Sequence, residues 1–154
     1  MINTLCTIII WGGMHYATPL WMKQQIPEWM FGEYEIYFVP YGTPLAKVKS
    51  DIDPKTSALI GFSAGGLDVL KNYSKDYAFV GLIDPSTRDS YAKKEFGGNT
   101  YMLYDSDNWG SINKSLKSVA AQVNNTGGSA IEIVMGHKDI PKYFFETYFT
   151  KRKK

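Results

Sequence analysis

Short apolar runs alternate with segments of mixed polarity along the whole chain of 154 residues. Six of these runs have the length of β-strands, and several are almost continuously apolar, which is typical of strands buried on both faces of a parallel sheet. The six predicted strands lie at residues 5–11, 35–39, 57–62, 78–83, 100–104 and 130–135. Glycine or proline stands within two residues of most of their ends, as expected where a buried strand stops.

The segments between the strands carry helix signals. The clearest is residues 111–124, where five apolar residues recur at the spacing of one helix face. These residues are Ile112, Leu116, Val119, Ala120 and Val123. Further helices are predicted at residues 18–25, 65–73, 86–96 and 141–149, whereas residues 43–56 show no clear period and are predicted as loop or short helix. The alternation predicts an α/β fold, a three-layer α/β/α sandwich with a mostly parallel sheet of about six strands.

Length and charge limit the possible domain organisation and the possible binding partners. The chain is predicted to form a single domain over residues 1–150, followed by a basic tail at residues 151–154. Four of the 17 basic residues lie in that tail, and the other 13 are outnumbered by 15 acidic residues, so no nucleic-acid surface is predicted. The first apolar run is too short to span a membrane and has no basic segment before it, so we expect no membrane span and a cytoplasmic location.

Residues that bind metal ions are sparse. The sequence has two histidines and one cysteine, and they are far apart. Cys6 stands in the first apolar run, where it is expected as a small buried hydrophobe, and one cysteine cannot form a disulfide within the chain. No metal site and no cofactor are predicted.

The end of the third predicted strand carries the strongest chemical signal. The segment Gly61-Phe62-Ser63-Ala64-Gly65 has the G-x-S-x-G pattern between a buried strand and a helix. A serine at such a turn adopts strained backbone and projects its hydroxyl above the sheet. The glycines are required because the strand and the helix nearly touch there. Ser63 is therefore the candidate nucleophile.

A serine nucleophile requires a base, and the base requires a group that orients it. His137 follows the last predicted strand and is the candidate base, whereas His15 is better interpreted as a loop residue or substrate contact. Asp107, Asp105 and Asp84 all follow strand ends, where parallel sheets bind ligands. Asp107 is the preferred orienting acid, and Asp105 and Asp84 remain alternatives.

The order Ser63, Asp107, His137 after successive strands resembles the α/β-hydrolase family, with Gly61 to Gly65 as its nucleophile elbow and Gly136-His137 as its histidine segment. The resemblance covers nearly the whole chain and implies a serine hydrolase that cleaves a small-molecule acyl ester or thioester. It also implies an oxyanion hole formed by the backbone amide of Ala64 and by those of Gly13 or Met14, in a loop that resembles the family's HG loop.

The chain departs from the family in three respects. The family's first two strands are missing, so the fold would be a trimmed version. Trp11 stands where the HG loop usually has a histidine. No insertion is long enough for a large lid, which predicts an open site, as in small esterases or cutinase-like members.

Three other interpretations stay open. A catalytically silent member of this fold would bind a ligand or a partner without reaction. An acyltransferase would use the same residues but exclude water. A nucleotide-binding domain is less favoured, because Ser63 replaces the second glycine of the G-x-G-x-x-G fingerprint, although Asp84 stands about 20 residues further on, as that fingerprint requires.

Overall fold

The structure is a computed structural model that describes residues 4–151. Its centre is one sheet of six strands, all parallel, in the order β2-β1-β3-β4-β5-β6. The strands are β1 (Thr7–Trp11), β2 (Glu35–Val39), β3 (Ser57–Phe62), β4 (Phe79–Ile83), β5 (Thr100–Tyr104) and β6 (Ser129–Glu132). The predicted three-layer α/β fold around a six-stranded parallel sheet is confirmed.

Helices cover both faces of the sheet. They are α1 (Pro19–Lys23), α2 (Met30–Glu33), α3 (Leu45–Val48), α4 (Gly65–Lys71), α5 (Leu116–Asn125) and α6 (Ile140–Tyr148). Short 3₁₀ turns occupy Pro54–Thr56, Asp89–Lys93, Ser106–Asn108 and His137–Asp139. No helix within residues 4–151 is both long and apolar enough to cross a membrane.

The alternation of side chains along the strands divides the core in two. On β1, Ile8 and Ile10 face one cluster with the buried residues of α1, α2 and α6, whereas Ile9 and Trp11 face a second cluster with α4 and α5. Both faces of the central strands are thus buried, which explains their continuous apolar sequences. The carboxyl ends of β1, β3, β4 and β5 are left facing a common edge of the sheet.

Three predicted elements differ from the structure by more than two residues at an end, and Cys6, expected to be buried, is exposed. The last strand ends at Glu132 rather than at residue 135, and α5 begins at Leu116 rather than at residue 111. Ile112 therefore lies outside the helix and is 65% exposed, so its predicted place on the buried face is wrong. Residues 86–96 form only the 3₁₀ turn Asp89–Lys93. Residues 152–154 of the predicted basic tail lie outside the described residues.

Candidate active site

Ser63 has a backbone conformation that few residues other than glycine adopt. Its φ is +57°, in the left-handed region, between the end of β3 and the start of α4. The turn is held on both sides: the Ser63 amide donates to the carbonyl of Ile83 at 3.1 Å, and the Ser63 carbonyl accepts from the amides of Gly66 and Ser86, each at 2.9 Å. Strain of this kind persists only where the surrounding structure fixes it, and it is common at active sites.

The positions two residues before and after Ser63 have no space for a side chain larger than that of glycine. A Cβ atom at Gly61 would overlap the backbone of Gly65 at the start of α4. A Cβ atom at Gly65 would overlap the carbonyl groups of Trp11 and Gly12 at the end of β1. The close approach of strand and helix that the G-x-S-x-G pattern predicts is therefore present. It leaves the Ser63 side chain partly exposed at the edge of the sheet.

His137 lies beside the serine turn. Its imidazole packs on the ring of Phe62, the residue before Ser63, with ring centroids 4.6 Å apart. The ring of Trp109 meets the same imidazole edge to face at 5.4 Å. The two aromatic rings confine the imidazole, whose side chain is 27% exposed. His137 is therefore held next to the residue that precedes the candidate nucleophile.

The carboxylate that faces His137 belongs to Asp84. Its Oδ2 lies 2.5 Å from His137 Nδ1, and its side chain is fully buried. Asp84 follows β4 directly and has a φ of +39°. A carboxylate at Nδ1 favours the tautomer that carries a proton there, which leaves Nε2 as an acceptor. This is the orientation that a base acting on serine requires.

The acid that faces His137 is therefore Asp84 and not Asp107, the candidate preferred from the sequence. Asp107 is exposed, and its backbone amide donates to Oδ1 of Asp105 at 3.0 Å. Asp105 is buried, but its second oxygen accepts from the amide of Met135 at 2.9 Å, so it fixes the chain before His137. The physical reason is that Asp105 caps the 3₁₀ turn Ser106–Asn108, which directs Asp107 to solvent. Asp84 was the second alternative named from the sequence.

Asn108 is part of the arrangement and was missed from the sequence. Its Nδ2 donates to Oδ2 of Asp84 at 3.0 Å and to the carbonyl of Met135 at 2.9 Å. Oδ1 of Asp84 accepts from the amide of Asp105 at 3.0 Å. The buried carboxylate therefore accepts from two donors besides the imidazole, which offsets the cost of its burial.

The loop after β1 lies against the serine, as predicted. A Cβ atom built on Gly13 would be 3.0 Å from Cβ of Ser63. The Gly13 amide, however, donates to the carbonyl of Ala17 at 3.0 Å, so it is not a free donor. Within residues 4–151, the amides of Met14 and Ala64 donate to no protein acceptor. Met14 and Ala64 are therefore the pair of predicted oxyanion donors that the hydrogen bonding leaves available.

A row of aromatic side chains leads from this loop to the histidine. Tyr16 meets Trp21 at a centroid distance of 5.0 Å, and Trp21 stacks on Phe62 at 5.6 Å. The Nζ atom of Lys138 lies 4.6 Å from the centre of the Tyr16 ring. Partial burial and, secondarily, the negative charge of Asp84 raise the pKa of the Tyr16 phenol above its ordinary value.

The concave surfaces of the molecule differ in their relation to Ser63. Two hollows, of about 860 and 640 Å³, lie along α1 and α2 and between residues 24–29 and α6, away from the serine turn. An open groove of about 530 Å³ lies beside it, with Leu67 of α4, Ser86 and Trp109 among its walls. This groove adjoins the candidate site, because the amide of its wall residue Ser86 donates to the carbonyl of Ser63.

Comparison of the sequence with protein-family models gives no match, and no curated protein is significantly similar to it. Residues 4–151 contain no group of three or more His, Cys, Asp or Glu side chains arranged to hold a metal ion. The chemistry of the site is therefore inferred from its own residues.

Proposed function

We propose that the chain is a serine hydrolase that cleaves acyl esters or thioesters through Ser63, His137 and Asp84. The observation that carries the proposal is the left-handed φ of +57° at Ser63, in a turn that adjoins an imidazole held by a buried carboxylate. A strand-to-helix turn built only to change direction has no need of a strained serine.

The proposed reaction has two halves. Nε2 of His137 takes the proton from Ser63 Oγ as this oxygen forms a bond to the acyl carbon. His137 then gives the proton to the leaving oxygen or sulfur as its bond to the acyl carbon breaks. Water, activated by the same imidazole, attacks the acyl-enzyme and releases the carboxylic acid and the free serine.

Asp84 and the backbone amides would stabilise the charges that develop during the reaction. The imidazole becomes positive while it holds the proton, and the Asp84 carboxylate at Nδ1 stabilises that state. The carbonyl oxygen of the substrate becomes negative at the same time. The amide of Ala64 at the start of α4 and that of Met14 would donate to it.

The dinucleotide-binding interpretation is disfavoured by the position of Asp84. That interpretation requires Asp84 to accept from a ribose hydroxyl. The Asp84 side chain is fully buried and already faces His137 and Asn108. One observation supports a silent binding module. The Gly13 amide, a predicted oxyanion donor, already donates to the carbonyl of Ala17.

The test is hydrolysis of a panel of 4-nitrophenyl esters and acyl thioesters with short chains. We expect turnover by the wild type, loss of turnover in Ser63→Ala, and wild-type turnover in Ser90→Ala, which removes an exposed serine of the turn Asp89–Lys93. Product analysis with added alcohols separates hydrolysis from acyl transfer. A folded wild type that turns over no substrate would favour the silent binding module.

A further inference from the structure

The groove beside Ser63 adjoins the nucleophile turn through one of its lining residues, Ser86. Ser86, in its wall, donates its amide to the carbonyl of Ser63 at 2.9 Å. Trp109, which also lines the groove, packs edge to face on the ring of His137. Two residues of the groove wall therefore contact the candidate nucleophile and the candidate base.

The groove is built by two loops that are fastened to each other. Asn113, with a φ of +57°, accepts through Oδ1 from the amide and the hydroxyl of Thr87, each at 2.9 Å, and donates through Nδ2 to the carbonyl of Pro85 at 2.8 Å. The hydroxyls of Thr87 and Ser115 are 2.6 Å apart. These bonds join the loop after β4 to the loop before α5, so the groove is formed before any ligand arrives.

Two cations line this groove without a partner. Arg88 and Lys114 are both exposed, and neither forms an ion pair with any carboxylate in the part of the chain that the structure describes. Asp89 is the one carboxylate among the groove's lining residues. The groove therefore carries an excess of positive charge, and a guanidinium with free donors is well suited to a carboxylate or phosphate.

Apolar side chains lie in the same groove. Leu67 and Trp109 contribute to its walls, together with Ile112, whose exposed fraction is 65%. A ligand that fits both features has a short apolar segment and an anionic end.

We propose that this groove binds the part of the substrate that carries an anionic group, a carboxylate or a phosphate, with its apolar segment against Trp109 and Ile112 and its charge paired with Arg88 and Lys114. The inference rests on the proposed ester hydrolysis and adds its substrate class. It assigns a specificity role to two residues that take no part in the proton transfers.

The first test compares three 4-nitrophenyl esters with acyl groups of similar length: the pentanoate, the glutaric acid monoester and the 4-phosphonobutanoic acid ester. We expect the wild type to prefer the charged esters, and the better of the two identifies the anion. Arg88→Gln and Lys114→Gln should each lower kcat/KM for the charged esters roughly three- to fivefold and leave the pentanoate unchanged, as for an exposed ion pair. Asp89→Asn should raise the preference for the charged esters.

Lys142→Gln is the matched control, because it removes one exposed positive charge from α6, outside the groove. It should leave the ratio of charged to neutral turnover at the wild-type value. Equal turnover of all three esters by the wild type, or an equal effect of Arg88→Gln on all of them, would overturn the inference.

A binding measurement separates this inference from the proposed hydrolysis. Monomethyl glutarate, methyl pentanoate and methyl 4-phosphonobutanoate are titrated into ¹⁵N-labelled Ser63→Ala and followed by amide chemical shifts. We expect the two anions to shift amides of residues 86–89 and 109–115, and the shifts to disappear in Ser63→Ala with Arg88→Gln and Lys114→Gln. Binding without any ester turnover would reject the hydrolase and keep the groove, whereas absence of binding by both anions would reject the groove.

Discussion

Nδ1 of His137 lies 2.5 Å from Oδ2 of Asp84, although 53 residues separate them in the sequence. The two side chains follow different strands, β6 and β4, and meet at the edge of the sheet where Ser63 stands. Asp84 is fully buried, so its negative charge acts in a medium of low polarity, where its effect on the imidazole is stronger than in water. The proposed mechanism depends on this pair.

Asp84→Asn is the most direct test of which carboxylate orients His137. An amide at this position loses the charge and can donate to Nδ1, which favours the wrong tautomer, so we expect kcat to fall roughly a thousandfold or more. Asp107→Asn is the matched control and should stay near the wild-type rate, because Asp107 is exposed and its side chain does not face His137. Steady-state kinetics on a 4-nitrophenyl ester checks both, and a larger loss in Asp107→Asn would contradict the assignment.

Asn108→Ala tests whether the amide that joins Asp84 to Met135 positions the carboxylate. Removing a donor from a buried charged acceptor costs about 1.5–3 kcal/mol, and we expect kcat to fall about tenfold with KM little changed. Asn124→Ala is the control, since Asn124 also donates to a backbone carbonyl, that of Ala130, but far from Ser63. If both variants lose stability and neither loses kcat, Asn108 has only a structural role.

Gly61→Ala should disrupt the serine turn. The added Cβ would overlap the backbone of Gly65, so either β3 or α4 must move, at a cost of about 3 kcal/mol of unfolding free energy. Gly32→Ala adds the same methyl group in α2, where no heavy atom lies within 4 Å, and should stabilise the protein by about 0.5–1 kcal/mol. Denaturant unfolding of both variants measures the difference, and equal stabilities would contradict the described packing.

Asp68 of α4 introduces a pH dependence of stability. Burial raises the pKa of its carboxyl above the ordinary value. The Gly42 amide, which donates a hydrogen bond to the carboxylate at 3.0 Å, has the opposing, smaller effect. An acid whose folded pKa is raised binds its proton more tightly in the folded state, so its favourable contribution is complete below pH 3.8 and is lost as the pH rises through the folded pKa.

Asp68→Asn should therefore become more stable relative to the wild type as the pH rises from about 3 to 7, because asparagine keeps an acceptor without a charge. Unfolding free energies measured at both pH values give this change in difference. Asp76→Asn, which removes an exposed carboxylate from the turn after α4, is the matched control. A relative stability of Asp68→Asn that falls over this interval would contradict the prediction.

The apolar runs predicted the sheet well because burial on both faces leaves a strong signal. Ser57–Phe62 has the predicted bounds, and all six of its residues are buried. The edge strand Glu35–Val39 also has them, although it is only partly buried, because Pro40 follows it directly. The last strand was predicted too long because it lies at the edge of the sheet: Ile131 is 47% and Val134 is 99% exposed, so apolar character there does not indicate burial.

The candidate site was only partly predictable. The G-x-S-x-G spacing implies the turn at Ser63 because two glycines meet backbone atoms there. The choice among Asp84, Asp105 and Asp107 depends on how each loop turns after its strand, and neither the left-handed φ of Asp84 nor the cap formed by Asp105 has a pattern in the sequence. Asn108 was missed for the same reason, because its partners are distant in the chain.

The proposed mechanism requires Ser63 to be an activated nucleophile. The most direct measurement is reaction of the intact protein with a fluorophosphonate, followed by peptide mass spectrometry to locate the adduct. We predict one adduct, on Ser63, that is absent in Ser63→Ala and strongly reduced in His137→Ala, with His15→Ala, the exposed second histidine, reacting like the wild type. A folded wild type that forms no adduct, or one whose adduct on Ser63 persists unchanged in His137→Ala, would contradict the proposed mechanism.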